Sequence, residues 1–239
     1  MRRIRLTTGP GLLFAAAFVV ALLAFLPMRL VLGWIGVGEQ GLTARAVDGS
    51  VWWGALTEAR FGELAVGDLR ARVSPLHLLV GQARVTLDGR EKTRALHGAV
   101  GVSRHSLSVD DMTASLSAGT VFAPVPVTAI DLDDVSVRFA DGNCARAEGR
   151  VRATLAGDVA GIPLSQGMSG TAKCESGALL LPLVSQSGSE AATIRLWQTG
   201  RFRAEISVRP GDPAAGAKLV LSGFRPTDAG YTLAVEGTF

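Results

Sequence analysis

The nine residues Arg201-Phe202-Arg203-Ala204-Glu205-Ile206-Ser207-Val208-Arg209 decide how the chain is read. Phe202, Ala204, Ile206 and Val208 fall on one face of an extended segment, with charged or polar side chains on the other. A helix would scatter these four around its axis. A strand lying between a core and water requires the alternation. The same period joins Tyr231, Leu233 and Val235 against Thr232, Ala234 and Glu236, and Ala147, Val151, Ala153 and Leu155 against Glu148, Arg150, Arg152 and Thr154. It recurs less cleanly in Asp68–Val73, Ala83–Leu87, Ser106–Leu116 and Ile130–Phe139. The dipeptides Asp88-Gly89, Asp141-Gly142, Pro210-Gly211 and Ala229-Gly230 read as turns between these segments.

Segments of this length and spacing predict an antiparallel β-meander of on the order of a dozen strands. With one apolar face to hide, such a sheet is expected to curl, as an open, half-barrel-like or rolled sheet. Abundant glycine, frequent proline and alternating valine and threonine confine the expected helix to the start of the chain. No shift in composition divides the rest, so the expected organisation is a basic tail over 1–9, a transmembrane helix and juxtamembrane segment over 10–35, and one all-β domain over 36–239.

From Gly9 to Leu26 the chain carries no charge, and an apolar run of this length approaches the ~20 residues that a membrane helix needs. Leu12, Phe18, Leu22 and Leu26 are its anchor residues, Pro27 is a kink, Arg29 can snorkel, and Trp34 suits the headgroup belt. Arg2, Arg3 and Arg5 precede the run, which favours a cytoplasmic N-terminus and an exported body. The bulky sequence after Leu23 offers no small-residue cleavage site, so the segment reads as a retained anchor and not as a signal peptide.

Those three arginines also account for the net charge of +3: they leave 21 Lys and Arg against 21 Asp and Glu. A balanced body has no basic footprint for nucleic acid, and none is expected as a partner. Cys144 and Cys174 are the only cysteines. In an oxidising periplasm they read as a disulfide, since no histidine stands at zinc-ligand spacing from either.

Motifs of catalysis are missing. Gly36-Val37-Gly38-Glu39-Gln40-Gly41 matches a dinucleotide fingerprint in letters only, because that motif needs a strand before it and a helix after it; it reads as a juxtamembrane hinge. His77, His97 and His105 have no carboxylate at catalytic spacing, and His77 sits in an apolar run as a structural residue. Asp110-Asp111 and Asp133-Asp134 read as solvated turns and not as calcium loops. A C-terminal strand ending in Phe239 resembles the last strand of an outer-membrane barrel, but Gly237 stands where an apolar side chain is needed. The chain is therefore expected not to be an enzyme, and no metal or cofactor is expected.

One stretch differs in kind. In Val47-Asp48-Gly49-Ser50-Val51-Trp52-Trp53-Gly54, consecutive tryptophans must point to opposite faces of a strand, one into a core and the other onto a second surface, with a bulge at Gly54 as the plain structural reading. About twenty residues on comes Pro75-Leu76-His77-Leu78-Leu79-Val80-Gly81. These two segments, behind a basic start and a membrane helix ending near proline, resemble the type II secretion system protein N (GspN) family. The marker positions are Gly49, Val51, Trp52, Gly54, Pro75, Leu79 and Gly81. Ser50 replaces the usual threonine, and Arg72, Val73 and Ser74 stand where the family commonly has a tryptophan.

The resemblance implies an accessory inner-membrane component of the type II secretion system, single-pass, with a periplasmic β domain that serves as a scaffold or interaction module for other secretion subunits. A second class of function, from the residues alone, is a membrane-anchored lipid-binding or lipid-transfer protein holding lipid in an apolar groove of the curved sheet.

Overall fold

The structure is a computed structural model that describes residues 10–35, 42–62, 64–91, 96–118, 121–156, 158–159, 162–163, 167–211 and 213–238. The basic tail, the Gly36–Gly41 hinge and Phe239 lie outside the described residues.

Two helices open the chain, α1 (Pro10–Ala24) and α2 (Met28–Ile35), followed by β1 (Leu42–Thr43), β2 (Ala46–Ser50), β3 (Trp53–Phe61) and β4 (Leu64–Val73). A short α3 (Pro75–Leu79) leads to β5 (Ala83–Gly89), β6 (Leu96–Val102), β7 (Ser106–Ser117), β8 (Val127–Ala140) and β9 (Asn143–Leu155). Then come β10 (Asp158–Val159), β11 (Ile162–Pro163), β12 (Gly167–Thr171), β13 (Lys173–Glu175), β14 (Ala178–Ser185), β15 (Glu190–Leu196) and β16 (Arg201–Val208). The chain closes with α4 (Pro213–Leu221), β17 (Arg225–Thr227) and β18 (Gly230–Thr238).

Among the described residues, all strands but the β10–β11 pair join one 16-stranded sheet, antiparallel throughout. It runs from β1 and β2, collinear along β3, in near-sequential order to β17. β17 pairs only with β18, so the sheet is open, with two free edges. Residues that alternate in sequence alternate in burial: Phe202, Ala204, Ile206 and Val208 are buried while Arg201 and Arg203 are exposed. Polar side chains of the other face pair across strands, as in Arg84–Asp110 (2.7 Å), Arg150–Asp133 (2.9 Å) and Arg203–Glu236 (2.9 Å).

The apolar face builds two cores. The larger spans β8, β9, β12 and β14 to β16, with Met168, Leu183, Ile194 and Ile206 fully buried. Phe122, from the β7–β8 connection, enters it and meets Phe202 edge to face at 5.3 Å, while Leu219 of α4 and Phe224 cover another part. This half of the inner face is filled by the protein's own side chains, and an open lipid groove does not run through it. A smaller core gathers Met28 of α2 with Leu56, Ala59, Leu69 and Ala71.

Bulges interrupt the sheet at β3–β4 and again from β6 to β9, while β4–β5 and β5–β6 pair without a shift. Glu58 (φ 50°) in β3, Asp111 (φ 50°) in β7 and Asp134 (φ 54°) in β8 take left-handed backbone, each at a register shift. The extra residue at each bulge needs a partner for its N–H. Glu58 N donates to Asp68 Oδ1 (2.8 Å), Asp111 N to Ser136 Oγ (2.9 Å) and Asp134 N to Thr113 Oγ1 (3.3 Å). The interruptions continue through Gly149, whose carbonyl accepts from Ala172 N (3.0 Å) where β12 gives way to β13. Bulges increase local twist and bend.

Several expectations are corrected here. The acidic pairs are not turns, because they sit inside β7 and β8 as bulges. Asp88-Gly89 closes β5, and the chain turns after it. Helix is not confined to the start: α4 forms over Pro213–Leu221, an alanine-rich segment whose Leu219 is buried. The segment over 10–35 forms two helices separated at Phe25–Pro27, where Pro27 bridges to Ser50. With 15 residues, α1 spans about 22 Å at ~1.5 Å per residue, against a hydrocarbon core of ~30 Å. No helix among the described residues is long and apolar enough to cross a membrane.

The cysteines form a disulfide with a Cα–Cα distance of 5.4 Å. Its position has a reason in the sheet. β9 pairs with β12 as far as Thr171–Arg150 and not with β13, so the Cys144–Cys174 bridge ties β9 to β13 where the backbone ladder has stopped.

Candidate functional site

Both marker segments lie at one end of the sheet. Ser50 pairs with Trp53, which leaves Val51 and Trp52 as a two-residue turn joining β2 to β3. Neither takes positive φ, so the turn lacks the primed geometry that matches strand twist. Gly49 absorbs the mismatch at φ +88°, and a β-carbon there would overlap the carbonyl oxygen of Trp53.

This turn holds the helices. Val51 N donates to Leu26 O (3.0 Å), and the Pro27–Ser50 bridge lies beside it. Pro27 directly precedes α2, and its carbonyl accepts from Leu30 N (3.1 Å). Met28 is buried directly on Gly54: a β-carbon at Gly54 would collide with its sulfur. Gly54 is therefore a seat for α2 and not a bulge. The tryptophans are not a pair on opposite faces of one strand either, since Trp52 is half-buried in the turn and Trp53, at the start of β3, is exposed.

α3 closes the β4–β5 hairpin beside this turn. Pro75 begins it, Ser74 is extended and has no side-chain cap to the helix backbone, and Gly81 (φ +74°) ends it by donating to Leu78 O (3.0 Å). His77 Nδ1 and Ser74 Oγ share a hydrogen bond at 2.8 Å, which satisfies this histidine structurally. Leu76, Leu78 and Val80 are exposed. Leu79 lies in α3 and Trp34 in α2.

Of the anchor residues, Leu12, Phe18 and Leu22 are exposed on α1, and Leu26 is half-buried at the turn. Every residue from Gly11 to Leu22 is exposed. The other two histidines do meet carboxylates, brought by neighbouring strands and turns: His97 Nδ1 lies 2.9 Å from Asp88 and His105 Nδ1 3.4 Å from Asp141. Both pairs are at the surface, and neither is joined by a nucleophile. Among the described residues, no group of three or more His, Cys, Asp or Glu could hold a metal ion. A surface depression of ≈ 590 Å³ at the far end is lined by Arg209, Asp228, Tyr231 and small residues; another of ≈ 210 Å³ beside α3 includes His77 and the Arg84–Asp110 pair.

Met28 and the exposed leucines of α3 escaped the sequence reading. A helix start one residue after Pro27, opposite a glycine-flanked hairpin, was the available signal for Met28. Nothing local distinguishes Leu76 and Leu78 from core leucines.

Comparison with known proteins now adds to this geometry. The family model described as "Type II secretion system (T2SS), protein N" matches residues 40–234. The chain belongs to that family. The match covers both marker segments and nearly the whole sheet, and it excludes α1 and α2. A Vibrio cholerae serotype O1 protein named type II secretion system protein N is 30% identical over 151 residues, which cover 59% of this chain and 60% of that relative. No solved structure matches this chain.

Proposed function

We propose that the chain is an accessory component of the type II secretion system, held at the inner membrane by α1, whose periplasmic β domain is a scaffold for other secretion subunits. Membership of the protein N family carries the first part of this reading. The observation that carries the second is α1 itself. A helix apolar on every side is at home inside a protein core or a bilayer, yet this one is exposed from Gly11 to Leu22. No charged residue occurs between Arg5 and Arg29, so the apolar stretch available to the bilayer is longer than α1 alone, and small mismatches are absorbed by thinning and snorkelling.

A scaffold reading fits the rest. An open sheet presents unpaired backbone at its edges, to which another chain can add a strand. Here β2 on one edge meets, on the side away from β3, the Pro27–Ser50 bridge at its end and no other described strand, whereas Pro226 in β17 withdraws a donor at the other edge.

The test is made in the source organism with the full chain under its own promoter. Tagged protein extracted from membranes should bring down other secretion subunits, and a deletion strain should retain type II substrates in the periplasm. Normal secretion in that strain, together with no subunit in the pull-down, would end this reading.

A further inference from the structure

Exposed apolar side chains concentrate where α1 leaves the sheet. Gly54 pairs with Ala71, so the end of β4 and the start of α3 lie level with the Val51-Trp52 turn, one strand spacing (~4.8 Å) away. Trp53 is 72% exposed, Leu76 73% and Val80 70%, values that would be costly in water for a patch with no occupant. The next turn along this end carries Arg104 and His105. Across residues 50–53, 74–82 and 103–105 there is no acidic residue, and Arg29 of α2 is exposed nearby. At the far end the exposed large apolar side chains among the described residues are Phe61 of β3, Val184 of β14, and Val220 and Leu221 of α4. These are spread along the strand order and do not gather on one hairpin.

We infer that this end of the sheet rests on the surface of the same phospholipid bilayer that holds α1, with Leu76, Leu78 and Val80 entering the acyl boundary, Trp53 at headgroup level and Arg104 facing anionic headgroups. This rests on the anchoring role proposed for α1. Two observations choose lipid over a protein partner. Leu26, at the exit of α1, is hydrogen-bonded through its carbonyl to Val51 N, which brings the patch to within a few ångströms of wherever α1 ends. And the patch has the composition of an interfacial segment: leucine on a short helix, a valine and a tryptophan beside it, and the basic Arg29 and Arg104, with Asp141 against His105 as an acidic side chain of this end. Two contacts, α1 and α3, would then fix the tilt of the sheet, with its strands rising away from the membrane.

Spin labels placed on the full chain can read this. The native cysteines are joined in the disulfide, so single cysteines introduced by Phe18→Cys in α1, Leu76→Cys and Val80→Cys beside the turn, and Gln186→Cys in the exposed far-end turn would carry the nitroxide selectively. The protein is reconstituted into phosphatidylethanolamine–phosphatidylglycerol liposomes, and collision of each label with oxygen is compared with collision with a water-soluble nickel chelate. The oxygen-to-nickel ratio at 76 and 80 is expected to exceed that at 186 by at least about threefold and to fall below that at 18. Ratios at 76 and 80 equal to that at 186, with 18 deep in the bilayer, overturn the surface contact and leave the anchor standing. A water-exposed label at 18 overturns the anchor, and the labels at 76 and 80 still decide the surface contact by themselves.

Discussion

Gly49→Ala should loosen the hairpin that fastens α1 and α2 to the sheet. Two separate costs add. At φ +88° an alanine occupies backbone disfavoured by ~1–2 kcal/mol. Its β-carbon also overlaps the Trp53 carbonyl oxygen, which belongs to the paired strand and cannot swing aside as a flexible side chain would; crowding of this sort costs ~1–3 kcal/mol. Gly62→Ala separates the two, because Gly62 is also left-handed (φ +58°) while its β-carbon meets nothing within 4 Å. The assay is tryptic nicking after Arg45, which precedes β2 and is exposed and paired with Glu58 (2.8 Å). Under conditions where cleavage is slow, the nicking rate follows the population of the opened hairpin. Since ~1.4 kcal/mol is tenfold, Gly49→Ala should be cut roughly 5- to 150-fold faster than Gly62→Ala. Equal rates for the two variants would refute the crowded-hairpin account.

Other perturbations test other parts of the molecule. Replacing Cys144 and Cys174 by serine reopens a loop of 30 residues and should lower stability by about 3.6 kcal/mol in the chain-entropy model, seen in urea unfolding as a shifted midpoint that reductant no longer moves. Gly54→Ala should be destabilising in the native chain and close to neutral in a Met28→Ala background, a coupling of ~0.5–3 kcal/mol by tryptophan fluorescence; additive effects would mean that Met28 does not occupy the space over Gly54. Phe122→Ala removes a buried ring from the larger core and should cost ~3–5 kcal/mol, with loss of near-ultraviolet dichroism; a change under ~1 kcal/mol would show that the β7–β8 connection does not close that core.

Strands with a dry face and a wet face were legible because burial imposes a period of two on the sequence. Arg201–Val208 and Tyr231–Val235 could be read directly, and so could the meander, since its neighbours in sequence are its neighbours in space. The bulges were not, because Asp110-Asp111 and Asp133-Asp134 carry turn chemistry inside strands: the second aspartate of each pair is left-handed, as in a turn, while the chain continues straight on. α4 escaped because a helix of 9 residues owes its stability to Leu219 docking on the sheet and little to its own propensity. At the candidate site, the glycines of Gly49–Gly54 stood out as backbone requirements. Their partner did not, since the break at Phe25–Pro27 depends on a bridge to Ser50 that is long-range in sequence. The His97–Asp88 and His105–Asp141 pairs were hidden for the same reason.

The bulges of β7 and β8 bear on how so wide and glycine-rich a sheet keeps its alignment. Sliding a strand along its neighbour by two residues restores the apolar face and all but the end hydrogen bonds, so hydrophobicity alone leaves such errors cheap. Here the same slip would carry Asp111 past Ser136 and Asp134 past Thr113, stranding donors that have one acceptor each. The bulges of β7 and β8 therefore work like the teeth of a key: each has a position at which its odd residue finds a slot, and the alignment of one of these strands sets that of the next.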